Sequence, residues 1–360
     1  MIQAEKNTFQ NEGNLIWNIE ADQKISILGE DPRNGLFDTS IEYGDDGVGW
    51  LAYSRVTLPE YVETHIAKSV DKGRTWRYVT AANRSTKGSL IVAGKKVKGI
   101  WRYETPTLVY DRSDIPARRW KIFVQRYLST PPHKKKNSLF QHSQIQYRYA
   151  ATPSGPWSKP ICMFGKSKNN CRVNLNSLHP NWKGNKFYNE LGSIVVNGVI
   201  YISLDASTTS SGLGEWKRRK IVLISSRNHG RNWKFAGILT NYNDANALGY
   251  LVLTGSSLVK ENGRLFLLTT PSGRKGFFRK NRGHNGTLAV EFANISGAKL
   301  KRDKKGKLIF RKFIKPNLTS GGLSDYDEKN TAGGMLFSQI NVKTPPEVFQ
   351  IFNTKQWIIP

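Results

Sequence analysis

Three observations predict the fold class of this chain. One turn motif occurs twice at identical spacing, a strand pattern recurs about every 70 residues, and helical periodicity is scarce. The first two indicate repeated copies of one building block, and the third indicates that the block is made of strands. Together they predict an all-β chain folded as a five-bladed β-propeller with four antiparallel strands per blade. The motif is Ser69-Val70-Asp71-Lys72-Gly73-Arg74-Thr75-Trp76, and it returns at Ser226-Arg227-Asn228-His229-Gly230-Arg231-Asn232-Trp233. Asp71 or Asn228 can bond the turn's own backbone, glycine accepts positive φ at no steric cost, and the tryptophan ring packs onto the departing strands. Such a turn does no chemistry.

Taken in order, residues 1–13 are polar and read as a flexible arm, and 14–360 as a single propeller domain. Residues 14–28 alternate in part and read as a strand. Residues 36–43 and 49–54 form a hairpin across Gly44-Asp45-Asp46-Gly47, followed by strands at 63–69 and 76–80 on either side of the first motif. This order of strand, turn, strand, loop, strand, turn, strand makes one blade. A second copy spans 103–110, 120–125 and 144–151, and a third pairs 190–196 with 199–204 across Asn197-Gly198, a type I′ hairpin signal. The fourth runs from Thr254 through 264–269 and 287–292, and a fifth is expected to start at Ala332-Gly333-Gly334. The first-strand markers Asp38, Glu104, Glu190, Ser256 and Gly333 stand 66, 86, 66 and 77 residues apart. The last copy is one strand short and the first has one to spare, so the N-terminal strand is expected to join the last blade and close the ring.

The two turns resemble Asp-boxes, the turn motif of sialidases and other β-propellers. Ala151-Thr152-Pro153-Ser154-Gly155-Pro156-Trp157 resembles the variant common in five-bladed glycoside hydrolases of families 43, 32 and their relatives. The first strand of each propeller blade lines a central channel, and three of the five predicted first strands carry an acid near their start: Asp38, Glu104 and Glu190. Acids are scarce here, 27 against 55 bases, which makes three in one channel notable. Carboxylates crowded together raise the pKa of at least one of them, the condition that glycoside hydrolysis needs for one proton donor and one base. The resemblance to families 43 and 117 implies Asp38 as general base, Glu104 as the acid that tunes pKa and orients, and Glu190 as general acid of an inverting, exo-acting enzyme. Family 43 usually has Asp where this chain has Glu104. The Asp-Pro pair usual in its first motif is here Asp38-Thr39, while Asp31-Pro32 lies seven residues earlier and makes Asp31 a rival base.

Further candidates for substrate contact are Arg33, Trp50, Trp101, Arg102, His142, Tyr250 and His284, as anion-holding, stacking or loop residues. The formal net charge of +28 favours an anionic oligo- or polysaccharide as partner. The basic runs Lys134 to Lys136, Lys217 to Lys220 and Lys301 to Lys307 adjoin turns and come without a nucleic-acid motif, so no specific nucleic acid is expected. No apolar run approaches a transmembrane span, and the first residues lack the apolar core of a signal peptide, which leaves open a cytosolic protein and one whose leader has been removed. Cys162 and Cys171, nine residues apart, either close a small loop or stay reduced. No metal site is readable and no cofactor is required, with a calcium ion in the channel left open. A sialidase is the second reading, although the arginine-containing N-terminal motif of that family is missing. A non-catalytic carbohydrate-binding propeller is the third.

Overall fold

The computed structural model describes residues 15–19, 23–133, 137–165, 171, 178–180, 187–207, 216–274, 283–316, 321–340 and 349–353, so the expected arm at 1–13 lies outside the described residues. Five sheets form five blades. Their inner strands are Gly35–Tyr43, Lys95–Tyr110, Phe187–Val196, Tyr250–Glu261 and Gly321–Asp325, each packed against the next and the last against the first. Blade one continues outward through Gly49–Thr57, Tyr61–Ser69 and Trp76–Asn83, and blade three through Val199–Ser207, Lys220–Ser226 and Lys234–Asn241, in unbroken antiparallel order. Apolar residues alternate along the middle strands, and their two faces fill the gaps between blades. One such core joins Val109, Phe123 and Tyr147 of blade two to Leu191, Ile202 and Trp233 of blade three.

The two turn motifs share one geometry. Ser69 Oγ accepts from the Gly73 N–H at 2.9 Å, and Ser226 Oγ accepts from the Gly230 N–H at 2.9 Å. Asp71 Oδ1 takes the Thr75 N–H at 2.9 Å, as Asn228 Oδ1 takes the Asn232 N–H at 2.8 Å. Lys72 and His229 both stand at φ +60°, and Trp76 and Trp233 are buried beneath. Each turn docks on the preceding blade: the Lys72 carbonyl accepts from the Ala332 N–H of blade five, and His229 Nδ1 lies 2.9 Å from Asp111 Oδ2 of blade two.

The N-terminal stretch closes the ring, but as three short strands. Gln23–Lys24 pairs antiparallel with Phe349–Asn353 and completes blade five. Before it, Leu15–Ile19 adds a parallel edge to Phe310–Pro316 of blade four, and after it Ile27–Leu28 adds one to Trp76–Asn83 of blade one. Two expectations are corrected. Blade five begins at Gly321–Asp325, and the apolar run near Gly333 is its second strand, Leu336–Ile340; Gly333 itself belongs to a turn closed by the Asn330 carbonyl. The glycine-rich inner strand lacks the apolar alternation by which a strand is recognised. Blade two also gains a hairpin absent from the sequence reading, Thr86–Val92 against the first half of Lys95–Tyr110, turned at Ala93-Gly94 with φ +48° and +79°. Cys162 and Cys171 are joined as a disulfide at the outer edge of that blade.

Candidate active site

The inner strands break at one height. In blades one, two, three and five two residues oppose one on the neighbouring strand: Asp38-Thr39, Thr105-Pro106, Glu190-Leu191 and Leu323-Ser324. Blade four inserts Gly255. The residues Asp38, Thr105, Glu190, Gly255 and Leu323 all adopt φ between +50° and +59°, and all five line one small pocket at the level of these breaks. A bulge re-aims a side chain and frees backbone groups from the ladder. Left-handed backbone at a non-glycine residue is uncommon and is held only where surrounding structure fixes it, a pattern concentrated at functional sites. Pro106 is tolerated in a central strand because the bulge needs no N–H there.

Asp38 and Glu190 are therefore structurally equivalent, whereas Glu104 precedes its bulge residue by one position. Asp38 Oδ2 accepts from Ser54 Oγ at 2.8 Å and from the Thr105 N–H at 3.2 Å. Burial, with the neighbouring charges of Glu104 and Glu190, outweighs these donors and pushes the Asp38 carboxyl up to about 8. Glu104 Oε2 accepts from the Tyr127 hydroxyl at 2.8 Å. Glu190 Oε2 accepts from the Gly255 N–H and meets Thr254 Oγ1, which also lies 2.8 Å from Asp205 Oδ2. Asp205 is buried and faces the Arg219 guanidinium at 3.3 Å. Two residues past the blade-five bulge, Asp325 accepts from the Ile41 N–H at 2.6 Å and from Ser257 Oγ, and burial still pushes it up to about 7. Asp325 was missed in the sequence because blade five was started one strand late. The supporting Ser54, Tyr127 and Thr254 are isolated polar residues on strands, without a sequence signal.

The remaining expected residues separate into two groups. Trp50 and Trp101 are buried in the core between blades one and two, and the Arg126 guanidinium stacks 3.6 Å over the Trp101 ring. Arg102 is buried, its guanidinium donating to the carbonyls of Glu60, Pro59 and His133, and the buried Tyr250 accepts from Asn285 Nδ2 at 2.8 Å. These four brace the framework and do not line the pocket. Interblade packing and loop carbonyls, invisible in a single sequence, hold them there. Arg33 is exposed and paired with Asp31 at 2.6 Å, and its hydrogen bonds hold the Asp31 carboxyl down at about 2, outside the pocket. His142 ends the short 3-10 helix Phe140–His142 and His284 lies in a loop with its Nδ1 3.0 Å from Ser272 Oγ; both are half-buried, and neither lines the pocket.

Among the described residues one group of three potential metal ligands comes together: Asp111, Asp114 and His229. Lys121 is buried there with its Nζ 3.1 Å from Asp111 and 2.9 Å from Asp114, so an ammonium already supplies the positive charge. This cluster clamps blade three to blade two, away from the pocket.

No protein-family model matches the sequence, and no curated protein matches it. Among solved structures the chain is similar to a family 117 glycoside hydrolase of the marine bacterium Zobellia galactanivorans, with TM-score 0.54 and 12% identity over 92% of this chain and 89% of that one. It is similar to a thermostable family-43 glycoside hydrolase at TM-score 0.53 and 10% identity, over 92% and 91%. The chain shares the propeller fold of these hydrolases. Trypanosoma rangeli sialidase also matches, at TM-score 0.50 and 13% identity, over 93% of this chain but only 57% of its own. The chain thus spans nearly the whole of the two hydrolases and little more than half of the sialidase.

Proposed function

We propose that this protein is a glycoside hydrolase acting on an anionic or decorated glycan, with Asp38 and Glu190 as its acid–base pair and Glu104 as the charge that tunes Asp38. One observation carries the reading: two equivalent bulges hold Asp38 and Glu190 in the left-handed region and turn both onto one pocket. The similar solved structures are named as glycoside hydrolases, which supports the same class. The resemblance assigns the base to Asp38 and the acid to Glu190, in an inverting, exo-acting reaction.

A second reading reverses the roles, and the raised Asp38 pKa favours it: a carboxyl that holds its proton to about 8 is suited to donate it. The two readings predict opposite pH profiles. With Asp38 as base, kcat/KM rises with pH through about 8; with Asp38 as acid, it falls through about 8. The test is product release from a panel of neutral, uronic, sulfated and sialylated glycans by the wild type, Asp38→Asn and Glu190→Gln. Both variants are expected to lose about 10²–10⁴-fold in kcat. Turnover that survives both substitutions would remove the pair from the chemistry. Turnover on no glycan, with binding intact in both variants, would leave a carbohydrate-binding propeller.

A further inference from the structure

The large positive charge and the pocket are in conflict. The pocket gathers Asp38 and Glu190, with the charge of Glu104 acting on it, and so repels an anion. An anionic glycan is therefore to be held at a distance from the reacting bond. The inner strand of blade two leads to the place. Lys95–Tyr110 is one continuous strand, and Lys96, Lys98, Ile100, Arg102 and Glu104 fall on one side of it by alternation. Its first half pairs with Thr86–Val92, which sets Lys87 opposite Ile100, Ser89 opposite Lys98 and Ile91 opposite Lys96.

The two faces of this hairpin differ in kind. Leu90, Val92, Val97 and Trp101 share one face and belong to the core between blades one and two. The other face carries Lys87, Lys96 and Lys98, all exposed, around Ile91, which is 63% exposed. None of these three lysines has an ion-pair partner among the described residues. Elsewhere the bases are often matched: Arg264, Lys301 and Arg311 converge on Glu291, and Arg302 meets Asp244. A hairpin pinned by its apolar face and bare of acids on the other is a rigid cationic surface. At roughly 3.3 Å per residue, Lys98 stands about 20 Å along the strand from Glu104.

We propose that the Thr86–Trp101 hairpin is a binding arm for an extended polyanionic glycan, whose sulfate or carboxylate groups engage Lys87, Lys96 and Lys98 while another part of the same chain occupies the pocket. The inference rests on the glycoside hydrolase reading for what lies in the pocket. It makes the substrate a polymer, because a short oligosaccharide seated at the carboxylates does not reach the lysines.

The test compares the wild type with the triple variant Lys87→Gln, Lys96→Gln, Lys98→Gln and with a charge-matched control, Lys304→Gln, Lys305→Gln, Lys307→Gln. The probes are a sulfated polysaccharide and a polyuronate, each long and as short oligomers, single-stranded DNA, and phosphatidylserine vesicles. Binding is measured across salt concentrations, and KM and kcat on whichever probe is hydrolysed. The arm variant is expected to lose about tenfold in affinity for a long glycan, its salt slope falling by about 2–3. KM is expected to rise on long chains with kcat unchanged, short oligomers should be unaffected, and the control should behave as wild type. The long chain that loses more, sulfated or uronic, identifies the anionic group. Turnover with KM for long chains unmoved in the arm variant overturns the arm and leaves the hydrolase. No turnover on any glycan, with long-chain binding still dependent on the three lysines, overturns the hydrolase and leaves the arm. An equal loss in the control shows a general charge effect, and lysine-dependent binding of DNA or vesicles tighter than any glycan replaces the proposed partner; either result overturns the inference.

Discussion

At the scale of single residues the controlling quantity is the cost of keeping Asp38 where it is. Its carboxyl is raised from the ordinary range near 4 to about 8, so between those values the folded protein binds one proton more than the unfolded chain. The sign follows: the stability this group contributes is fully present below about pH 4 and is lost as pH rises through about 8. Asn at position 38 keeps the shape, tolerates the left-handed backbone and removes the charge. Asp38→Asn is therefore expected to be more stable than the wild type by about 1–3 kcal/mol at pH 9, with the gap closing toward pH 4. Urea unfolding at both pH values measures it, and a gap independent of pH would show that the charge of Asp38 is not what strains the site. Loss of activity together with gain of stability in one variant would locate the strain in the catalytic group itself.

At the scale of elements, the repeated turn tests how much of a motif is local and how much is docking. Gly73 and Gly230 have nearly the same φ, +86° and +84°, so a side chain at either meets the same backbone cost. Their surroundings differ. A Cβ at Gly73 would fall 1.7 Å from Asn330 Oδ1 of blade five, whereas at Gly230 the nearest atom is Trp233 Cζ2 at 3.6 Å. Gly230→Ala is expected to lose about 1 kcal/mol from the backbone alone, and Gly73→Ala about 2–4 kcal/mol because the blade contact also gives way. Equal losses in chemical denaturation would mean that the Asn330 contact adds nothing. These turns were legible in the sequence because their hydrogen bonds lie within eight residues. The bulges were not: which of Glu104 and Thr105 takes the left-handed position is set by packing across the channel, where strands distant in sequence meet. The Ala93-Gly94 hairpin escaped for another reason, since its lysine face hides the alternation that Leu90, Val92 and Val97 carry on the other side.

At the scale of the whole molecule, the repeat fixed the number of blades from sequence, and closure followed from counting strands. The route of the N-terminal stretch did not follow, because two-residue pairings leave no periodicity to read. The observed route gives closure a physical weak point. Blade five has three strands of its own and borrows the fourth, Gln23–Lys24, through a pairing of two residues. Ile25 and Ile27 are buried against Leu336 and Ile351, and the Ile25 N–H donates to the Ile351 carbonyl at 2.9 Å, so side-chain burial on both sides of the short pairing holds it. Ile25→Ala should cost about 2–4 kcal/mol, the usual range for removing a buried isoleucine side chain. Its location matters more than its size. If the ring opens at this seam, amide exchange in the variant should accelerate first in Phe349–Asn353 and Leu336–Ile340, with Ile221 to Ile224 in the middle of blade three still protected. Uniform acceleration across all blades would instead show that the propeller unfolds as one unit, and that the short borrowed strand is as firmly held as the long ones.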